Sequence, residues 1–237
     1  MNNKFKIGIL GNLDETYLPH YKMNSCFTEF QDTFKFTFEW IPTEKLEEFD
    51  VAILDSYNGI IAGSGPYNSK EGVINGIKYA RENHLPFLGT CSGFGYSVLE
   101  FGRALFELET VHHPLEGIQT NENQIFLQPL NACGLDMYPI TFTPVLGTLT
   151  AGIYSKTPDI SELSHCHYGI SLEMIKHFES AGFLVAGYDE IGEPKIMEYT
   201  KNMFFVIALF YPQLNSNRKN PHPLLESFLQ AALETII

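Results

Sequence analysis

The chain has 237 residues, long for one small domain and short for two, which favours a single large α/β or all-β domain. Hydrophobic residues at 44% and charged residues at 18% describe a globular protein and exclude a disordered one. Fifteen Lys and Arg against 28 Asp and Glu leave a formal net charge of −13, which repels phosphate backbones and anionic membranes and argues against nucleic acid or membrane as partners.

The opening stretch MNNKFKIGILGN is broken by Lys4 and Lys6 and has no signal-peptide pattern, and no apolar run approaches the ~20 residues needed to span a bilayer. A cytoplasmic protein is therefore expected. Its four cysteines, Cys26, Cys91, Cys133 and Cys166, are scattered without a CxxC pair and are expected as reduced thiols.

Lys4 to Leu10 is short and apolar and ends at Gly11-Asn12, as a buried first strand would. Cys26 falls in a helix, and Lys35 to Ile41 alternates around three aromatics as a second strand. Phe34, Phe36, Phe38 and Trp40 are expected as strand residues facing helices. Asp50 to Leu54 is a weaker strand candidate before Gly59 to Ala62, which runs into the turn Gly63-Ser64-Gly65-Pro66. Glu71 to Asn83 places Val73, Ile77, Tyr79 and Ala80 on one helical face, and His84-Leu85-Pro86 stops that helix. Phe87 to Thr90 is then a strand, with a helix from Cys91 to about Phe106. Farther on, Ile125 to Leu127 and Ile140 to Ile153 read as strands and Leu172 to Ala181 as a helix. Strands follow at Phe183 to Gly187, Lys195 to Tyr199 and Phe204 to Phe210, and Pro223 to Thr235 is a last amphipathic helix. This alternation predicts an α/β three-layer, Rossmann-like fold, a mostly parallel central sheet with helices on both faces.

The sharpest chemical signal is Leu85-Pro-Phe-Leu-Gly-Thr-Cys91-Ser-Gly-Phe-Gly. A strand delivers the chain to Gly89-x-Cys91-x-Gly93 and a helix begins, the context of a nucleophile elbow with Cys in place of Ser. Side chains on either side of such a turn would have no room, hence the glycines. A thiol there meets the positive end of a helix dipole, which favours the thiolate. The Ser92 amide would point toward a substrate oxyanion. The plainer reading is a buried cysteine in a glycine-rich turn.

The segment from Ala80 to Phe94 resembles the nucleophile block of class I glutamine amidotransferases, most closely the glutaminase domain of CTP synthase and its free-standing relatives. Asn58-Gly-Ile-Ile-Ala-Gly63-Ser-Gly-Pro-Tyr is similar to that family's oxyanion strand and turn, which implies that Gly63, Ser64 and Gly65 supply the second oxyanion amide. The run Phe204 to Leu224 resembles the strand and turn that carry the rest of the triad. The resemblance covers nearly the whole chain, is faint between about residues 105 and 160, and implies one amidotransferase-like domain over residues 1–237. At the last block the family pattern is His-Pro-Glu, and here it is Tyr211-Pro212-Gln213. A phenol is a poor base at neutral pH, and a neutral amide does not stabilise an imidazolium. The inherited triad is therefore absent, and removing one member of such a relay costs orders of magnitude in rate.

Ser164-His165-Cys166-His167-Tyr168-Gly169 is the best source of a replacement base. By the resemblance it matches an Arg-Tyr-Glu stretch beside the glutamine pocket, with His167 at the Arg, Tyr168 on the shared Tyr, and Gly169 at the Glu. If extended, the segment points His165 and His167 to one face, where either could move protons near pH 7. The alternative is that both are ordinary loop histidines. His-Cys-His lacks a third ligand cluster at a recognisable spacing, so neither metal nor cofactor is expected. His112-His113-Pro114 and His222 read as surface or loop residues, and Cys26 and Cys133 as unreactive packing residues.

Two functions remain open. One is a Cys91-dependent amidase or amidotransferase-like hydrolase acting on a small-molecule carboxamide or related acyl group, with weak or no ordinary glutaminase activity. His165, His167 or Tyr211 would handle its protons. The other is a pseudoenzyme that keeps the fold as a binding or regulatory module. With no amidoligase segment in the chain, ammonia transfer would require a separate synthase partner. A homodimer is also left open.

Overall fold

The computed structural model describes residues 5–47, 51–118, 125–132, 134–157 and 159–235. The first half runs β1 (Phe5–Leu10), α1 (Leu18–Phe34), β2 (Phe36–Ile41), β3 (Gly59–Ala62), α2 (Lys70–Glu82), β4 (Phe87–Thr90) and α3 (Ser92–Leu105). The second half begins with β5 (Leu127–Pro129), β6 (Tyr138–Thr141), β7 (Thr143–Pro144), α4 (Leu149–Ile153), β8 (Ser161–Ser164) and β9 (Tyr168–Ile170). It ends with α5 (Ile175–Ser180), β10 (Phe183–Tyr188), β11 (Pro194–Tyr199), β12 (Phe205–Ala208) and α6 (Pro223–Glu234).

Eight strands form the central sheet in the order β2-β1-β3-β4-β12-β11-β10-β7. Neighbours are parallel from β2 through β12 and antiparallel from β12 to β7. This is the α/β architecture that the strand–helix alternation predicts. The central strands β3, β4 and β12 are buried throughout, because helices cover both faces and leave neither to water. Alternate residues feed two cores. Phe87, Phe205 and Ile207 pack with Val73 and Ile77 of α2 and Phe94 and Val98 of α3. Leu88, Val206 and Ala208 pack with Phe27 and Phe30 of α1 and Phe228 and Leu229 of α6. Burying one such aromatic is worth about 1.5–3 kcal/mol relative to leaving it in water.

The strand-to-helix corner after β4 is held from three directions. The Cys91 amide donates to the Ala208 carbonyl of β12 at 3.0 Å, and the Gly93 amide donates to the Gly63 carbonyl just past β3 at 3.1 Å. A Cβ on Gly93 would lie 1.9 Å from the Ala62 carbonyl oxygen, and one on Gly89 would lie 2.9 Å from Ile207. Both glycines are therefore required by the close approach of α3 to the sheet. Two short ribbons, β5 with β9 and β6 with β8, carry the Ser164–Tyr168 segment over this corner. They are tied there by the Tyr211 amide on the Leu163 carbonyl and the Ser164 hydroxyl on the Leu209 carbonyl.

Three expectations are corrected. Val51–Ser56 forms a 3-10 helix, not a strand, with Leu54 as its buried anchor; Asp50 lies outside the described residues. The expected long strand over 140–153 ends at Pro144. Gly147 turns the chain at φ 87°, and the Thr148 side chain accepts from the Ala151 amide and starts α4 instead. Phe34 closes α1 and is not a strand residue, because Lys35 adopts φ 58° and ends the helix one residue before β2. Phe36 and Phe38 do face α1, each meeting Phe27 edge-on.

Replacing Gly93 with Ala should force α3 away from β3 and cost on the order of 2–3 kcal/mol, as overpacking against rigid backbone does. Thermal unfolding of Gly93→Ala should give a Tm lower by several degrees. An unchanged Tm would mean that the corner is looser than its contacts indicate.

Candidate active site

Cys91 stands between β4 and α3 with φ 52° and ψ −110°. A non-glycine residue is strained there by about 1–3 kcal/mol, and the Cys91–Ala208 and Gly93–Gly63 backbone hydrogen bonds hold it in place. The strain lifts the side chain off the end of the strand so that it is neither in the core nor free in solvent: Cys91 is half-buried. The turn is the elbow expected from Gly89-x-Cys91-x-Gly93.

The sulfur is surrounded by hydrogen-bond donors. The Tyr211 hydroxyl lies 3.0 Å from Cys91 Sγ. Side-chain hydrogen bonding from the Cys166 thiol is the largest influence on Cys91 and lowers its pKa; the Tyr211 hydroxyl and the Ser92 amide and hydroxyl add to this, against the opposing effect of burial. Burial, followed by the charge of Cys91, pushes the Tyr211 phenol far above its ordinary range. Tyr211 is therefore a held O–H donor to the sulfur and not a base. Burial, reinforced by Cys91, likewise pushes the Cys166 thiol well up, so of the two thiols Cys91 carries the charge.

A cavity of about 180 Å³ opens in front of the sulfur. Its wall brings together Cys91, Ser92, His165, Cys166, His167, Tyr168 and Tyr211, seven residues drawn from three separate parts of the sequence. His165 and His167 do share a face, their rings 5.0 Å apart and edge-on, and His167 Nε2 hydrogen-bonds to the Leu135 carbonyl at 3.2 Å. The sulfur's hydrogen-bond partner is the Tyr211 hydroxyl and not either ring. Tyr17 on the approach to α1, and His113 with Leu115, also line this cavity. They are the site residues that sequence reasoning missed. His113, expected as a surface or loop residue, lies in a loop. It is half-buried against Tyr96 and Tyr168, and its Nδ1 accepts from the Leu115 amide, leaving Nε2 as its N–H. Burial lowers its pKa, so the ring is neutral at pH 7. Nothing in the local sequence marks either residue, since a connecting loop and a helix entry bring them in.

The Gly63–Gly65 turn lies alongside the first turn of α3, where a Cβ on Gly65 would sit 3.2 Å from Ser92 Oγ. Its carbonyls are engaged away from the cavity: Gly63 accepts from Gly93, and Ser64 accepts from His20 Nε2 at 2.8 Å. The Ser64 hydroxyl is buried without a partner. Of the expected site residues, Gly63, Ser64, Gly65 and Gln213 do not line the cavity, and Gln213 lies farthest from the expected role. It is fully buried outside the cavity, its amide nitrogen donates to the Pro19 carbonyl at 3.3 Å, and its Oε1 has no partner. A neutral amide makes no charge-assisted bond that would hold it toward Tyr211.

Two further expectations are settled by burial. Cys26 is buried in α1, and its thiol donates to the Gln213 and Ser216 carbonyls while burial raises its pKa to about 11, so it is the inert packing residue anticipated. His222 is not a surface residue. It caps α6 through Nδ1, and its Nε2 bonds the buried Glu162 carboxylate at 2.6 Å. Cys133 lies outside the described residues.

The model of the "Glutamine amidotransferase class-I" family matches residues 21–231. The chain belongs to the class I glutamine amidotransferase family. Among curated proteins it is 32% identical over 209 residues to the CTP synthase of Herpetosiphon aurantiacus, covering 84% of this chain and 39% of that protein. It is also 32% identical over 223 residues to the CTP synthase of Rhizobium meliloti, covering 84% and 40%. The chain thus spans about two-fifths of the length of these relatives. Its fold matches the Trypanosoma brucei CTPS glutaminase domain with bound acivicin at a TM-score of 0.86 and 19% identity, covering 98% of this chain and 94% of that one. No helix among the described residues is long and apolar enough to cross a membrane.

The lowered thiol has a direct readout. Alkylation of Cys91 by iodoacetamide should rise with pH to a half-maximum below the ~8.5 of an ordinary cysteine and fall away as pH drops through that value. Tyr211→Phe removes a donor to the thiolate and should move the half-maximum up by about one pH unit, the equivalent of one charge-assisted hydrogen bond. A profile that Tyr211→Phe leaves in place would refute the donor role.

Proposed function

We propose that this chain is a cysteine-dependent hydrolase or transferase of the amidotransferase type, acting on a carboxamide or related acyl group, with weak or no ordinary glutaminase activity. The observation that carries this reading is the Cys91 thiol, polarised by hydrogen-bond donors and open to a cavity at a strained strand-to-helix corner.

In this reading the Cys91 thiolate attacks the substrate carbonyl carbon, and the C=O electron pair moves to oxygen. The Ser92 amide and an amide of the Gly63–Gly65 turn receive that oxyanion. Collapse re-forms C=O and breaks the C–N bond. The leaving nitrogen takes a proton from His165 or His167, or from the Tyr211 hydroxyl, and water then hydrolyses the thioester. Burial holds the Tyr211 proton on its oxygen, so this hydroxyl suits orienting and polarising the sulfur better than giving up its proton. Deacylation is the weak point, since a base for water must come from an imidazole of the cavity wall.

Weak glutamine handling has two supports. The residue two places after Tyr211 is an amide turned to Pro19, not a carboxylate oriented to a histidine. The cavity wall has no carboxylate among the described residues, so nothing acidic stands opposite an α-ammonium group. Gly169 contributes none, and a Cβ there would lie 2.7 Å from Leu130. Tyr168 would position the substrate. Ammonia transfer would need a synthase partner to receive the ammonia.

The displaced Gln213 also favours a second reading, a pseudoenzyme that retains the fold for binding or regulation with Cys91 as a relic. Labelling separates the two. Acivicin, a glutamine-like electrophile, or limiting iodoacetamide should modify Cys91 well before the other three cysteines. Equal labelling of all four, or none at Cys91 in the folded protein, would leave only the second reading.

Glutamine hydrolysis, followed as ammonia release, should be very slow or absent in the native chain. The double variant Tyr211→His with Gln213→Glu should raise it by roughly two orders of magnitude or more, the usual worth of a positioned base. Rapid native turnover that survives both His165→Ala and His167→Ala would contradict the assigned proton carriers.

A further inference from the structure

Cys166 is a second thiol on the cavity wall that the acyl chemistry leaves unused. We propose that Cys91 and Cys166 are a peroxide-sensing thiol pair that closes to a reversible disulfide across the cavity. The proposal goes beyond the acyl chemistry and does not require it.

Both residues line the one small cavity, and their thiols are in hydrogen-bond contact. Each backbone is held where it stands. The Cys91 amide is tied to Ala208. The Cys166 amide donates to Ser164 Oγ at 3.2 Å, and its carbonyl accepts from the Tyr138 hydroxyl at 2.6 Å. Both thiols therefore stand on the wall of one small cavity in the resting protein. Their surroundings differ in the sense such a pair needs: Cys91 is half-buried at the cavity and reachable from it by a small oxidant, whereas Cys166 is buried at 6% exposure. Cys26, the other described thiol, is turned to the Gln213 and Ser216 carbonyls and does not line the cavity.

The oxidant is a hydroperoxide, ROOH. The Cys91 thiolate attacks one peroxide oxygen, an S–O bond forms, the O–O bond breaks, and the alkoxide leaves and takes a proton from solvent as ROH. Cys91 is oxidised by two electrons to the sulfenic acid, and the peroxide is reduced. The Cys166 sulfur then attacks the Cys91 sulfur, the S–S bond forms, the S–O bond breaks, and the departing hydroxide takes the Cys166 proton as water. A thiol reductant reverses the bond and restores the nucleophile. The pair would thus protect Cys91 from irreversible oxidation and silence the site while oxidised.

The test is treatment of the purified chain with a few equivalents of hydrogen peroxide, followed by intact mass and peptide mapping without reductant. The expected result is a Cys91–Cys166 linked peptide, a mass lower by two hydrogen atoms, loss of iodoacetamide labelling at Cys91, and return of both signals with dithiothreitol. Cys26→Ser should retain the cross-link. Cys166→Ala should lose it and accumulate a Cys91 sulfenic acid that dimedone traps. Wild-type protein in which Cys91 proceeds to sulfinic or sulfonic acid while Cys166 stays free would overturn the proposal. So would a bond to Cys26 or Cys133, or an unmodified Cys91. The wild-type map decides even if Cys166→Ala does not fold. Because mass is read and not turnover, a chain inert toward amides can still form the bond, and an active one can fail to.

Discussion

The first turn of α3 presses so closely on the end of β3 that a single methyl group at Gly93 would enter the Ala62 carbonyl. That approach places Gly93 N–H on Gly63, puts Cys91 at positive φ, and brings the amide end of a helix to a thiol at the same point. The strain at one residue is small beside the burial of β3, β4 and β12 between two helical layers, which is why the corner persists. The cavity exists because the corner holds the nucleophile up against the ribbons that pass over it.

The chemistry of the site follows from which groups reach the sulfur. Tyr211, Cys166 and Ser92 all donate to it, and donors stabilise a thiolate without providing anything that can later take a proton from water. Where the class I pattern has a histidine, this chain has a phenol that burial keeps protonated. Where the pattern has the orienting carboxylate, it has a buried amide bonded to Pro19. The same polarisation that would suit Cys91 to attack a carbonyl would suit it to attack a peroxide, so the two proposed chemistries would draw on one sulfur.

Much of this was legible in the residues. The central strands could be found because burial on both faces demands continuous apolar runs such as Phe204 to Phe210. The elbow could be found because only glycine tolerates both flanking approaches. His165 and His167 share a face as simple alternation requires. The errors have equally local causes: Val51–Ser56 is apolar enough for a strand but winds into a 3-10 helix, and the run after Ile140 is interrupted by Pro144 and Gly147. His113, His222 and Tyr17 carry no periodic or motif signal, since their roles come from contacts with residues distant in the chain.

The sequence by itself determined the layered α/β fold, the Gly89-x-Cys91-x-Gly93 turn, and the Tyr211-Pro212-Gln213 run where the family resemblance leads one to expect His-Pro-Glu, because each is written in residues adjacent along the chain. Only the tertiary structure decided what replaces them: that Tyr211 donates to the sulfur, that Gln213 turns away, that His113 joins the cavity, and that Cys166 meets Cys91. Hydrogen bonds and burial between segments up to 194 residues apart depend on how strands and loops converge in space, and local pattern does not encode that convergence.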